Sequence, residues 1–377
     1  MFKITMHKAG NGDCISISTD TEYILIDGGT AQSYDTWKSK ILETTNTIDT
    51  LIITHIDNDH VNGIIKLLED PQAPKVKEVL YNGAEQLLGK LDLTSSSDRQ
   101  VDSKLNAIIA ENLEINTTNK IGYSEGSSLS FVLNQKSVKC NTIVNHGSIY
   151  RERIGEIKIG KIKFSIIGPT EEDLLILKRN WDKKLCERKI KLKILNKISF
   201  TAFENYLKNL ENPCNSQQQI GSKNLTSIET LANSSFEPDK SPTNQSSFSF
   251  LIESEQKRIL YLGDCHVKTV ISWLNLNKLE KISVGAVKIS HHGSKNNTSL
   301  ELLERIECQN YLISTNGKVH NHPDLETLAR IIISNKNKCI NIYFNYEVMN
   351  IPSWFINELE TNYTNVKMHM NCEKVEI

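Results

Sequence analysis

Within six residues, His55-Ile56-Asp57-Asn58-Asp59-His60, the chain places four side chains able to bind a metal ion. The apolar run Thr50-Leu51-Ile52-Ile53-Thr54 leads into this cluster, and a helical pattern over residues 64–68 follows it. A loop between strand and helix can fold its side chains onto one centre. Two divalent ions ~3.5–4 Å apart require that density of donors. Further donors recur where later apolar runs end. Asp264 closes Ile259-Leu260-Tyr261-Leu262-Gly263, and His291-His292 closes Val287-Lys288-Ile289-Ser290. His146 lies in Asn145-His146-Gly147-Ser148, and His322 precedes Pro323. Any one of these alone reads as an ordinary hydrogen-bonded histidine or carboxylate; taken with the first cluster they point to a metal centre.

The elements that must carry these residues are short strands with helices between them. Residues 2–6 and 15–19 flank Gly10-Asn11-Gly12-Asp13, a turn that predicts an antiparallel pair. Tyr23-Ile24-Leu25-Ile26 predicts a buried strand ending at Asp27-Gly28-Gly29, and residues 77–81 predict another strand. Residues 94–98 read as a loop and 107–113 as a helix. Strand pattern returns at residues 157–167, bounded by Gly168-Pro169. Residues 171–209 turn helical and basic. Residues 211–247 are mainly Asn, Ser, Gln, Thr and Pro, which predicts a long flexible loop. Strands resume at 248–253, 258–262, 287–290 and 311–314. A helix at 352–359 and a strand-like end at 366–377 are expected to close the second half. The division this suggests is a first half at 1–170, a basic helical and polar-loop insertion at 171–247, and a second half at 248–377. Polar clusters at strand ends place function on loops along one edge.

Composition sets the outer bounds. The chain has 377 residues, 44 Lys+Arg against 45 Asp+Glu, 38% hydrophobic and 24% charged residues. That is a soluble, globular balance of the size of two domains or one large one. Net charge near zero excludes a generally basic nucleic-acid coat but allows a local basic groove. The eight cysteines never form a CxxC pair, so neither a disulfide framework nor a zinc ribbon is expected. No basic segment precedes a long apolar one at the N-terminus, and no window approaches 18 apolar residues. A cytoplasmic protein with reduced thiols and no membrane contact is expected. Walker A, dinucleotide and Gly-x-Ser-x-Gly patterns are missing from the sequence.

Six motifs, in order, resemble the metallo-β-lactamase-fold hydrolases, most of all the branch with the nuclease-like domain of DNA-uptake competence channels. They are Gly12-Asp13-Cys14, Ile24-Leu25-Ile26-Asp27-Gly28-Gly29, Thr54-His55-x-Asp57-x-Asp59-His60-x-x-Gly63, Leu262-Gly263-Asp264, His291-His292-Gly293-Ser294 and His322-Pro323. The resemblance implies an α+β fold, an αββα sandwich carrying a helical and loop insertion, with a two-metal site at its open edge. It implies His55 and Asp57 on one ion, Asp59 and His60 on the other, and Asp264 bridging. One of His291 and His292 would be the last ligand, and His146 is the candidate for the remaining histidine. Asp27 and Asp13 would brace the ligand loops from behind. Asp59 would also orient the attacking water, and His322 would meet the substrate as a phosphate contact or general acid. Many zinc enzymes of this family carry His where this chain has Asp57. The added carboxylate favours Mn²⁺, with Zn²⁺ and Mg²⁺ as alternatives.

Residues 178–197 hold nine Lys or Arg against Asp182 and Glu187, a local charge of +7. Lys183, Lys184, Arg188 and Lys189, with Lys295 beside the site, are the expected nucleic-acid contacts; a solvated helix face offset by Glu171, Glu172 and Asp173 is the other reading. Lys288 and Lys318 also flank the site in sequence. A metal-dependent nuclease or phosphodiesterase acting on DNA or RNA is the leading expectation. A hydrolase of a small ester or cyclic nucleotide is the alternative. A third reading is a component of a prokaryotic antiviral defence complex beside an ATPase or protease. A homo-oligomer is compatible with all three.

Overall fold

In the computed structural model, which describes residues 2–94, 98–114, 128–210 and 227–376, the strands form two large mixed sheets. The chain begins with β1 (Lys3–Met6), β2 (Ile15–Ser18), β3 (Tyr23–Ile26), β4 (Thr47–Ile52), β5 (Lys75–Leu80) and β6 (Lys139–Cys140). It continues through β7 (Glu156–Ile159), β8 (Ile162–Gly168), β9 (Ser249–Ser254), β10 (Lys257–Tyr261), β11 (Ile282–Ser283) and β12 (Ala286–Lys288). The last strands are β13 (Ile306–Glu307), β14 (Asn310–Ile313), β15 (Ile340–Phe344), β16 (Val366–His369) and β17 (Lys374–Val375). One sheet has the order β17-β1-β2-β3-β4-β5-β6, the other β16-β15-β14-β12-β10-β9-β8-β7, and β11 pairs with β13 alone.

Period-two patterning explains the layering. In β3, Ile24 and Ile26 face the opposing sheet, where they meet Phe164, Phe250, Ile252 and Tyr261. Tyr23 and Leu25 face outward onto Trp37, Ile41, Ile64 and Ile65 of the helices Tyr34–Leu42 and Asn58–Glu69. With helices covering its outer face, β3 is buried on both sides and reads as an unbroken apolar run. The second sheet repeats this arrangement, with Leu251, Leu260 and Val287 packed on Val270, Leu274, Leu328 and Ile331. The result is the α+β, αββα sandwich expected from the sequence.

The chain halves and the sheets do not coincide: β7 and β8 lie in the first half of the chain but pair with β9 in the second sheet. Two expectations are corrected. The strand-like end serves both sheets, since β16 joins β15 while β17 returns to β1. The long-loop expectation for residues 211–247 divides, with 211–226 outside the described residues. Residues 227–247 carry the helices Ile228–Ala232 and Pro242–Gln245 and bury Asp239, Asn244 and Gln245. Buried amides and hydroxyls that pair with one another leave no apolar periodicity, so such a stretch reads as loop. Part of the expected loop at 94–98 also falls outside, at 95–97.

The insertion shares an apolar cluster with the first half of the chain. Trp181, Phe200 and Phe203 pack with Leu105 and Ile108, and Ile56 of the metal-loop motif is buried in the same cluster. No described helix is long and apolar enough to cross a membrane.

Candidate metal centre

The parallel strands β3, β4, β10, β12 and β14 end side by side, and the chemistry-bearing residues lie just beyond those ends. Loops at the carboxyl ends of parallel strands are the usual place for a site. Two close approaches hold the loops together. Gly63 touches the loop after β3 so tightly that a Cβ would lie 1.9 Å from the Gly28 carbonyl oxygen. A Cβ on Gly12 would lie 1.7 Å from the Asp59 carbonyl oxygen.

At the centre stands Asp264. Its Oδ2 lies 3.4 Å from His60 Nε2, 3.6 Å from His292 Nε2, 3.8 Å from His55 Nε2 and 4.0 Å from His291 Nε2. His292 Nε2 is also 3.4 Å from Asp59 Oδ2, and His55 Nε2 is 3.5 Å from Asp57 Oδ2. Donors sharing one ion at ~2.0–2.2 Å are separated by distances of this size. Buried Nε2 atoms of His55, His60 and His292 have no hydrogen-bond partner, nor does Asp264 Oδ1. Buried polar atoms without partners are costly and call for an explanation. A divalent ion satisfies them, so the residues present fit the metal that the motifs imply.

The far side of each ring supports the same reading. The Thr54 hydroxyl donates to Asp27 Oδ2 at 2.7 Å, which leaves its oxygen to accept from His55 Nδ1 at 3.0 Å. His60 Nδ1 donates to Asp27 Oδ2 at 2.9 Å, and His292 Nδ1 to the Ser314 carbonyl at 3.0 Å. With Nδ1 protonated, each Nε2 lone pair faces Asp264, the tautomer a metal ligand requires. Asp27 also accepts from the Thr54 amide at 2.8 Å and holds a φ of 59°, a left-handed backbone uncommon outside glycine.

The field at the centre is strongly negative. Burial pushes the His60 and His292 imidazoles down, but Asp264 and the neighbouring carboxylates outweigh it. His60 is raised well above its ordinary value and His292 to about 10. Burial opposes charge on Asp264, yet His60, His292 and His291 hold it well below the carboxylate range. A field that retains protons on imidazoles is one that favours a cation.

Among the described residues, three groups have ligand atoms that all lie within 4.8 Å of one another: His55-His60-Asp264, Asp59-His60-His292 and Asp13-Asp27-His60. His146 is not brought to the centre. It is exposed, bonds the Cys140 carbonyl at 2.8 Å and lines a separate cleft of about 700 Å³ with Glu85, Lys90 and Ser137. The reason is topological: its loop follows β6, the edge strand of the first sheet. His322 stands at the mouth with its ring 5.4 Å from that of His291 and its Nδ1 3.5 Å from Asp324 Oδ2.

The basic residues fare unevenly. Lys183 and Lys189 are exposed. Lys184 and Arg188 both pair with Glu111, and Lys295 pairs with Glu326 at 3.0 Å. Lys288 is fully buried on Asp13, 3.9 Å from Asp264 Oδ1, so it offers nothing to a substrate. Asp13 in turn lies 3.4 Å from His292 Nδ1. Burial opposes its charge, but Lys288 and His292 bring the Asp13 carboxyl down to about 2.

Several contributors escaped the sequence reading. Asn11 donates to Asp59 Oδ2 at 3.0 Å, and the Thr243 hydroxyl lies 3.5 Å from Asp57 Oδ2. The His320 ring lies 5.9 Å from that of His322, tilted by 37°, a position the His-x-His spacing could have flagged. Asp239, Asn244 and Asn297 surround His291 and carry no sequence signal of their own.

Residues 7–104, which contain the ligand loop, match the family described as Metallo-beta-lactamase superfamily; the match covers 98 of 377 residues. No curated protein matches the chain. Among solved structures, the metallo-beta-lactamase fold protein YhfI from Bacillus subtilis aligns over 100% of both chains at 8% identity and TM-score 0.38. Igni18, a metallo hydrolase from Ignicoccus hospitalis, aligns over 99% of this chain and 97% of its own at 10% identity and TM-score 0.36. A diphosphatase from the PhnP family aligns over 100% and 98% at 9% identity and TM-score 0.37.

Proposed function

We propose that the chain is a metal-dependent phosphodiesterase, acting on DNA or RNA as a nuclease. The observation that carries this is the set of imidazole nitrogens turned on one oxygen of Asp264 with their lone pairs free. His55 and Asp57 would hold one divalent ion, Asp59, His60 and His292 a second, with Asp264 between them. The oxygen-rich donor set, with Asp57 where an imidazole is common, favours Mn²⁺. Such ions supply a Lewis acid that lowers the pKa of water and neutralises charge developing on a phosphate.

The chain's own residues supply the rest. Asn11 fixes one Asp59 oxygen, so that carboxylate is oriented to accept a proton from the attacking water. His322 and His320, at the mouth, are placed to donate to substrate oxygens. Burial keeps both imidazoles below their ordinary pKa, hence neutral and able to donate through one nitrogen.

A polynucleotide is favoured by the exposed basic end of the helix Glu171–Glu187. The start of that helix is tied to the site, because Asp173 accepts from Gln245 at 2.5 Å and Thr243 neighbours Asp57. Lys183 lies ten residues further on, ~15 Å along the axis. At ~3.4 Å per nucleotide, that spacing suits a strand contacted four or five nucleotides from the cleaved bond. The neutralisation of Lys184, Arg188 and Lys295 instead favours the alternative, a small phosphodiester such as a cyclic nucleotide. Incubation with Mn²⁺ and end-labelled single- and double-stranded DNA and RNA, beside an Asp59→Ala control, tests the proposal. Cleavage by the wild type alone supports it; intact polynucleotide with turnover of a cyclic dinucleotide would move the substrate to the small class. No turnover of either would contradict it.

A further inference from the structure

Among the described residues, His55 is the one histidine serving the Asp57 side of the proposed centre, because His146 lies elsewhere. His291 is the further imidazole that faces the shared carboxylate, with Nε2 4.0 Å from Asp264 Oδ2. Adjacent residues on a regular strand point to opposite faces, so a tandem pair would ordinarily offer one ring. Here His291 and His292 have φ values of 48° and 55°, and Gly293 follows at 90°. This left-handed turn lets both neighbouring rings face Asp264. Backbone of that kind in non-glycine residues persists only where the surrounding structure enforces it.

The enforcing bonds are specific. Asp239 is buried, and its Oδ2 accepts from Asn244 Nδ2 at 2.7 Å and from Asn297 Nδ2 at 3.0 Å. Asn297 Nδ2 also faces the carbonyls of Asp264 and Cys265, at 3.2 and 3.3 Å. With acceptors alone on that side, the Asn297 amide has a single orientation, and its Oδ1 must face His291 Nδ1, 2.9 Å away. This oxygen, nearer than the Asn244 amide nitrogen at 3.3 Å, puts the proton on His291 Nδ1, and the Nε2 lone pair points at the metal centre. Asp239 itself sits 3.6 Å from His291 Nδ1. Its place is fixed by bonds from the Ser241 amide to its Oδ1 and from its own amide to the Asn296 carbonyl.

We propose that both histidines of the tandem pair are metal ligands, and that Asp239 is the positioning residue which, through Asn297, sets His291 as the fourth donor beside His55, Asp57 and Asp264. This rests on the metal-centre reading above. The insertion thereby contributes to the centre without touching an ion.

The test is Mn²⁺ and Co²⁺ binding to the full, chelator-stripped chain by equilibrium dialysis, with the visible absorption of bound Co²⁺ as a second readout. Wild type is expected to bind two ions. His291→Ala should weaken one of them at least ~10-fold and change the Co²⁺ spectrum of that ion. Asp239→Asn lets Asn297 turn over and should weaken the same ion ~10–100-fold, the range for a group that orients a ligand. The second ion and the metal-free circular dichroism should stay at wild-type values. If Asp239→Asn fails to fold, Asn297→Ala breaks the same link and should select the same ion. Two ions held at wild-type affinity by His291→Ala, or equal weakening of both ions by Asp239→Asn and Asn297→Ala, would overturn the inference while leaving the metal centre intact. A wild type that binds no ion would overturn both.

Discussion

The two histidines of the first half of the chain and the two of the second half meet at one carboxylate, but they are braced differently. His55 and His60 are fully buried, and both lean on Thr54 and Asp27, so one strand-end loop and one carboxylate from the neighbouring strand do all the positioning. His291 and His292 sit on a left-handed turn, with His291 19% exposed. Their braces come from separate stretches: Asn297, the Ser314 carbonyl, and Asp239 from the far end of the insertion. The first pair belongs to a short, self-contained unit. The second is assembled from distant chain and depends on tertiary packing. Substitutions around the first pair should therefore disable the centre, and those around the second should tune it.

The largest effect is expected at the shared oxygen. Asp264→Asn should abolish binding of both ions at concentrations that saturate the wild type and cut turnover by more than ~10²-fold, the size of removing one central electrostatic interaction. Calorimetric titration with Mn²⁺ and a rate assay read it. Next is Asp27→Asn, which removes the acceptor shared by Thr54 and His60. It should weaken both ions ~10–100-fold and lower stability by ~1–3 kcal/mol, the cost of leaving a buried donor unpaired; urea denaturation measures the second. A smaller loss than that of Asn297→Ala would break the contrast between the two halves. Saturation with Mn²⁺ should stabilise the wild type by ~2.7 kcal/mol at 100 times Kd, seen as a rise in melting temperature, and should not stabilise Asp264→Asn. The smallest effect is at the basic surface. Lys183→Ala with Lys189→Ala should leave Mn²⁺ affinity unchanged and lower the salt slope of DNA binding by ~1 for each phosphate that is no longer neutralised.

The same contrast decides what is legible in the sequence. His55, Asp57, Asp59 and His60 fall within six residues, from the end of an apolar strand into the first turn of the helix Asn58–Glu69, so their convergence follows from local geometry. Asp264 and the tandem pair are legible as polar ends of apolar runs, because strands in a parallel sheet end together. The layered fold is legible from short apolar runs such as β3 that end in polar clusters, with helical patterns between them. His146 has the same local appearance, beside glycine after a short strand, yet its strand lies at the sheet edge. Strand order is a non-local property that single-chain patterning does not carry. Asp239, Asn244 and Asn297 are illegible for another reason: buried amide networks use the same residue types as solvated loops, and only their pairing distinguishes them. Lys288 reads in sequence as a cation flanking the site, but Asp13, 275 residues away in the chain, claims it.

The central claim is that Asp264 stands between two ions. Crystals grown with Mn²⁺ and measured at its absorption edge would show where the metal sits. Two anomalous peaks within bonding reach of Asp264, one beside His55 and Asp57 and the other beside Asp59, His60 and His292, are the result expected. No peak at Asp264, or one confined to another part of the surface, would contradict the account.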